Sequence, residues 1–316
     1  MGHGHSHSHA HGQTGKVLLV STAVTLAFVA AEAIAGWRSG SLALLSDAGH
    51  NFTDAFGLLL AAAAYAMQSR PGDHIKTFGY HRTGVLAAFV NSLLMAALSV
   101  WLFYESYQRL RAPEPVVEST MIWLAAIGLV MNTVIAFGLG GHGNDLNMRA
   151  QWLHMAGDAA ACLGIIVGAV VIHYTGWLSI DPLLSILIGA AVLWTAWGIL
   201  RDSLNILLEG LPKGVSLFDV RGELREVDGV IDVHDLHIWS LGSEAHALSC
   251  HVLIEDMPPS ESESILREVN RRLVQRFAIH HSTVQFEHTR CAMADEGCTG
   301  MLQAHQAALQ HESHRH

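Results

Sequence analysis

The sequence predicts a membrane protein: an all-α domain of six transmembrane helices, followed by a small α+β domain of order α-β-β-α-β. Six apolar runs, each long enough to cross a hydrocarbon core of ~30 Å as a helix, lie before Arg201. Charged residues are sparse in that half and dense after Lys213, although Asp, Glu, Lys and Arg make up only 15% of the 316 residues. Ordinary soluble domains carry about 25%. After Leu200 the apolar pattern takes the periods of short amphipathic helices and strands.

Residues 1–15 alternate His3, His5, His7, His9 and His11 with Gly, Ser and Ala, a composition that cannot bury a core and predicts disorder. Two readings of this tail compete: a flexible metal collector, and a solvated linker or cloning remnant. Residues 16–208 hold the apolar runs Val17–Gly36, Ser41–Met67, Gly84–Tyr104, Thr120–Leu139, Asp145–His173 and Pro182–Leu200. The first is too long for the core of a signal peptide, and five more spans follow it. With the amino terminus inside, Lys16, Arg70, Lys76, Arg82, Arg149, Arg201 and Lys213 flank the spans on the inner side. Arg38, Arg109 and Arg111 are then outside, so basic-residue asymmetry predicts both termini in the cytoplasm.

Ser41–Met67 carries Asp47, His50 and Asp54 in the middle of an apolar run. A charge there costs roughly 3 kcal/mol on insertion scales, so three ionisable groups imply a use. His50 and Asp54 are four residues apart and share one helix face. The spacing returns at His154 and Asp158 in the fifth run. Each histidine lies nine residues into its run, about 13 Å deep at 1.5 Å per residue, and the two runs start from opposite membrane faces. Both pairs therefore meet near the midplane, as in transporters built from inverted repeats. Helix-stabilising His–Asp pairs or a metal-free proton relay are the plainer alternatives; two pairs at matched depth favour a metal. Two imidazoles and two carboxylates suit tetrahedral Zn²⁺, whereas Mg²⁺ and Ca²⁺ want more oxygens. Protons compete for the same lone pairs, so such a site can exchange Zn²⁺ for protons. Asp47, three residues before His50, reads as a hydrogen-bonder to a neighbouring helix or a group at the outer mouth, with a supporting place behind the metal ligands as the alternative. Glu32 reads as an acid near water. Asn91 and Asn132 read as helix–helix hydrogen bonders, and Cys162 as packing.

Residues 209–290 read as the α+β domain. Ser216–Val227 is a helix stopped by Asp228-Gly229, and Val230–Leu241 and Ala245–Glu255 are strands. Ser260 and Glu263 form a capping box for a helix to Arg276, and Ser282–Glu287 is a third strand. A two-residue turn at Gly242-Ser243 pairs Leu241 with Glu244 and, counting outward, His234 with His251. Opposed residues have Cβ atoms ~5 Å apart, close enough to share a metal with Glu287 from the next strand. Packing is the alternative, and a longer loop would slip the register. His281, Cys291 and Cys298 either complete that shell or belong to the tail, residues 291–316. Asp73, His74 and His81 read as a solvated loop.

A net charge of −10 and a pI near 6.1 argue against a nucleic-acid partner. Four cysteines give no disulfide framework, which points to a reducing compartment. No HExxH motif or spare general base stands beside the intramembrane acids, so an enzyme is not expected. A metal sensor or channel is the other rival to a transporter.

The stretches SLALLSDAGHNFTDAFGLLLA, KTFGYHRTGVLAAFVN, LHMAGDAAACLGIIVGA, SLNILLEGLP, VHDLHIWSL and STVQFE resemble the cation diffusion facilitators, in particular bacterial zinc exporters of the zinc/proton antiporter type. The resemblance implies a homodimer of six-helix subunits with a cytoplasmic ferredoxin-like domain, in a bacterial inner membrane. It also implies export of Zn²⁺ against inward protons, with histidine in both HxxxD motifs marking a zinc preference. By resemblance, His234, His251 and Glu287 match cytoplasmic zinc ligands. A further histidine ligand of some members falls at Ser264, and Lys76 and Tyr80 replace loop histidines of others. Arg82 and Glu209 resemble a charge lock at the dimer interface.

Overall fold

A computed structural model describes residues 10–139, 146–243 and 245–289. Residues 1–9 and the C-terminal His cluster, with Cys291 and Cys298, lie outside the described residues. Residues 10–15 of the tail expected to be disordered, His11 among them, are instead the first turns of a helix that starts at Ala10 and runs on into the first apolar run.

Six long helices come first: α1 (Ala10–Ser39), α2 (Leu42–Gln68), α3 (Thr83–Arg111), α4 (Glu118–Leu139), α5 (Leu146–Thr175) and α6 (Ile180–Leu207). Within the described residues, the stretches Thr83–Arg111, Glu118–Phe137, Gln151–Thr175 and Ile180–Leu207 are long and apolar enough to cross a membrane. α2 is diluted by Ser46, Asp47, His50, Asn51, Thr53 and Asp54, the polar set that makes it interesting. The chain divides into two units. Residues 1–63 and 87–200 form the first, and residues 64–86 with 201–316 form the second.

In the first unit, Ala43, Leu44, Met121, Ala125, Cys162, Ile165, Ala169 and Ile172 form a closed apolar core where α2, α4 and α5 meet. Small residues permit the approach. A Cβ on Gly128 of α4 would stand 3.0 Å from the Cys162 sulfur of α5. Gly, Ala and Ser at such contacts are the usual route to close packing between membrane helices.

In the second unit, α7 (Leu217–Arg225), β1 (Val230–Ser240), β2 (His246–Ile254), α8 (Pro259–Phe277) and β3 (Ile279–Glu287) follow in the expected order. The sheet runs β1-β2-β3, with β1 and β2 antiparallel and β2 and β3 parallel. The parallel pair is joined through α8, the crossover that parallel strands require. Val220 and Leu224 of α7 and Ile265, Val269 and Leu273 of α8 pack with Val233, Ile238, Leu248, Val252 and Ile254 of the sheet. Ser216 caps α7 by accepting from the Asp219 amide.

Two local expectations change. α8 begins at Pro259 after Pro258, without a side-chain cap, so Ser260 and Glu263 form no capping box. Proline at the first helical position is preorganised and has no N–H to satisfy. β3 starts at Ile279 rather than Ser282, because the buried Ile279 side chain ties the start of the strand to the core.

Candidate metal centres

The position of α2 is fixed from outside itself. Asp181, at the start of α6 and fully buried, accepts from the Leu42 amide at 2.7 Å, the Ala43 amide at 3.3 Å and the Ser41 hydroxyl at 2.5 Å. These are amides of the first turn of α2, which has no intrahelical partners for them. One turn further on, Ser46 and Ser185 join their hydroxyls at 2.6 Å. Arg109 of α3 donates to the Gly40 carbonyl just before α2. Asp181 went unnoticed in the sequence because Asp-Pro at the start of a helix reads as ordinary punctuation.

On that anchored helix, His50 and Asp54 face His154 and Asp158 of α5. His50 Nε2 lies 3.6 Å from Asp54 and 3.4 Å from Asp158. His154 Nε2 lies 3.0 Å from Asp54 and 3.7 Å from Asp158. The four groups thus form a closed ring, imidazole and carboxylate alternating, with the two imidazole planes at 86°. Ligand atoms of His50, Asp54 and His154 lie mutually within 4.8 Å, and Asp158 joins through the two imidazoles. Tetrahedral ligands at ~2.0–2.2 Å from an ion stand about 3.3–3.6 Å from one another, close to these separations. His50 and Asp158 are nearly buried; His154 is 44% and Asp54 31% exposed, so the ring opens on one side.

The surrounding polar groups differ from expectation in part. Asp47 is buried and meets a neighbouring helix: Cys162 donates to its Oδ2 at 3.5 Å. Glu32 does not reach the surface of the chain. It is fully buried beside Asp47 and accepts from Asn51 at 3.3 Å. Asn132 donates across helices to the Cys162 sulfur at 3.9 Å. Asn91 donates within its own helix to Met95, because the close approach of Gly57 confines its amide.

In the second unit, His234 and His251 are opposed across β1 and β2. His234 Nε2 lies 3.1 Å from Glu287 Oε2, and His251 Nδ1 lies 3.0 Å from Glu287 Oε1. The buried His234 Nε2 and Glu287 Oε2 make no hydrogen bond, an arrangement suited to a cation between them. The three groups offer ligand atoms mutually within 4.8 Å. Cys250 packs in the apolar core, where burial pushes its thiol up to about 12, and it is not among the groups that converge with His234, His251 and Glu287. His281 stands away from this cluster, edge-on to Phe78 at 5.1 Å. Ser264 is exposed and bonds its own helix.

The pairing of His234 with His251 arises differently from the tight-turn count. The hairpin closes with Ser240 opposite His246 and Leu241 bonded back to Ala245, one residue longer than a two-residue turn. That register would set His234 opposite Val252. A β-bulge between His234 and His237 takes up the extra residue and restores the histidine pair.

In the α2–α3 loop, Asp73 accepts from the Ile75 and Lys76 amides and from the Tyr80 hydroxyl. Those donors hold its carboxyl below the usual range, backbone amides first. Arg82 bonds Glu209 at 3.2 Å and the Ser240 carbonyl at 3.3 Å.

Residues 18–208 match the cation efflux transmembrane domain, and residues 212–289 the cytoplasmic domain of cation efflux proteins. The chain belongs to the cation diffusion facilitator family. It is 38% identical to the cadmium, cobalt and zinc/H(+)-K(+) antiporter of Bacillus subtilis over 87% of this chain and 90% of that protein. It is 40% identical to the metal cation efflux system protein CzcD of Cupriavidus metallidurans, over 90% of each chain. It is 38% identical to the zinc transporter ZitB of Escherichia coli, over 91% of this chain and 93% of that one. As a member of this family the chain is a membrane metal-cation transporter with a helical transmembrane domain and a small cytoplasmic α/β domain.

Proposed function

We propose that this chain exports Zn²⁺ from the cytoplasm in exchange for protons, through His50, Asp54, His154 and Asp158. The observation that carries the reading is the ring of four His–Asp separations between 3.0 and 3.7 Å, joining α2 to α5. Zn²⁺ binds neutral imidazole and ionised carboxylate, so protonation of the ring expels the ion and metal loading expels protons. A site that loads from one side and is acidified on the other exchanges the two. The substrate must also leave: a structural zinc site supplies ~10–16 kcal/mol, so a transport site is weaker, near the ~8 kcal/mol of micromolar binding.

In this reading residues 16–208 cross a bacterial inner membrane six times, with both termini in the cytoplasm. Residues 209–290 form a ferredoxin-like domain in which His234, His251 and Glu287 hold Zn²⁺ and stabilise a homodimer. The names of the zinc-transporting and proton-exchanging relatives support the substrate and counter-ion. The α2–α3 loop belongs to the same unit as the sheet domain, which supports the inside placement of both.

The test is radiolabelled zinc uptake into proteoliposomes by the wild type and Asp158→Ala, with and without a pH gradient. Saturable uptake that needs the gradient and is lost in the variant is expected. Equal uptake by both proteins would remove the ring from the mechanism, and uptake indifferent to the gradient would make the protein a channel.

A further inference from the structure

The β-bulge that sets His234 opposite His251 consists of Asp235 and Leu236 facing the single residue Cys250. Asp235 has φ 48°, the left-handed region in which glycine is the usual bulge residue. Asp tolerates that region better than most residues, and a side chain held there is a pointer to function. Its carboxylate stands between two imidazoles. Oδ1 lies 3.0 Å from Nε2 of the half-exposed His237, and Oδ2 lies 3.8 Å from Nε2 of His251. The other nitrogen of His251, Nδ1, is the one that faces Glu287.

We propose that Asp235 is a positioning residue for the cytoplasmic metal site, orienting His251 from behind so that Nδ1 is presented to the ion. This rests on the reading of His234, His251 and Glu287 as metal ligands. A ligating imidazole generally gives its second N–H to a carboxylate or carbonyl, which fixes the tautomer and makes the ring a better donor. Asp235 places a carboxylate 3.8 Å from Nε2 on the metal-distal side, near enough to orient the ring electrostatically and to close to a hydrogen bond when the ion is held. The bulge thus performs two tasks with one residue. It corrects the register that pairs the histidines, and it turns a carboxylate toward the back of one of them. His237, bound to the other oxygen, holds the Asp235 side chain from the solvent side.

The experiment uses the full chain in detergent, with Asp54→Ala in every protein to silence the membrane site. Zinc affinity is read by chelator competition, and imidazole nitrogen NMR reports which His251 nitrogen binds metal. Asp235→Gly keeps the backbone conformation and removes the carboxylate, and Asp235→Asn keeps one acceptor oxygen. Asp235→Gly is expected to weaken zinc binding by ~10–100-fold, the range for lost outer partners of a ligand. Asp235→Asn should recover part of the loss, and neither variant should lower the thermal midpoint of the metal-free domain. Wild-type affinity in Asp235→Gly, or coordination of His251 through Nε2, overturns the proposal. His234→Ala separates the levels: if it binds zinc as before, the cytoplasmic site itself fails and this role falls with it. If His234→Ala loses an ion while Asp235→Gly matches the wild type, only the positioning role fails.

Discussion

The Asp54 carboxylate lies nearer to His154 on α5 than to His50 on its own helix, 3.0 Å against 3.6 Å. The same holds for Asp158, which lies 3.4 Å from His50 and 3.7 Å from His154. Each HxxxD pair is thus completed by its counterpart, and the two helices are coupled through the site. Removing one carboxylate strips both imidazoles of a neighbour. Asp54→Ala is therefore expected to lower zinc affinity in the membrane domain by more than the ~100-fold that loss of an outer partner costs. Calorimetry in a His234→Ala background, which silences the cytoplasmic site, measures it. A loss of tenfold or less would mean that Asp54 is not a ligand.

The nature of the donors sets the choice of ion. His154→Asp converts a set of two nitrogens and two oxygens into one of one nitrogen and three oxygens, which favours harder ions such as Mn²⁺. The expected outcome is weaker Zn²⁺ uptake and new Mn²⁺ uptake in proteoliposomes. His154 is the more exposed of the two histidines, so the change is accommodated without burying a new charge. A variant that still takes up Zn²⁺ and refuses Mn²⁺ would show that selectivity lies elsewhere.

The membrane ring was legible in the sequence because ionisable groups in an apolar run are costly enough to stand out, and their depth could be counted residue by residue. What fixes α2 was not legible: Asp181 lies 139 residues from the Leu42 amide that it accepts from, and no periodicity links them. In the sheet domain the histidine pairing was reached through a two-residue turn, whereas the longer loop and the bulge at Asp235 offset each other. A bulge has no period and displaces only one residue, so alternation along β1 cannot announce it. Glu32 was misplaced for a similar reason. Position along a helix gives depth in the membrane, but burial depends on Asp47 and Asn51 of the next helix.

On the surface of α8, Glu268 accepts from Arg271 at 2.6 Å and from Arg272 at 2.8 Å. These guanidinium groups, hydrogen bonds first, lower its carboxyl to about 2 from an ordinary 4.5. A lowered carboxyl stabilises the fold above the unfolded value, and that contribution disappears as pH falls through the folded value. Glu268→Gln should therefore be less stable than the wild type by a constant amount above pH 4.5. The gap should close between pH 4.5 and 2. Urea unfolding followed across that range checks it, and a gap that widens toward low pH would contradict the pairing.

Asp181 holds three donors at the first turn of α2, nine residues before His50, so its effect on transport should pass through the helix rather than through the ion. Loss of a capping side chain costs about 1 kcal/mol, up to ~2 kcal/mol where the cap is well formed. Here it would also leave the Leu42 and Ala43 amides buried without their acceptor, which adds to the cost. Asp181→Ala is expected to lower the thermal midpoint in detergent and to weaken zinc binding at the ring. Asp181→Asn, which keeps an acceptor oxygen, should recover most of both. A residue that bound the ion itself would behave differently, since the neutral amide would restore stability but leave affinity low. Parallel recovery of midpoint and affinity therefore identifies capping, and an Asp181→Ala protein indistinguishable from the wild type would show that Ser46–Ser185 and Arg109–Gly40 suffice to hold α2.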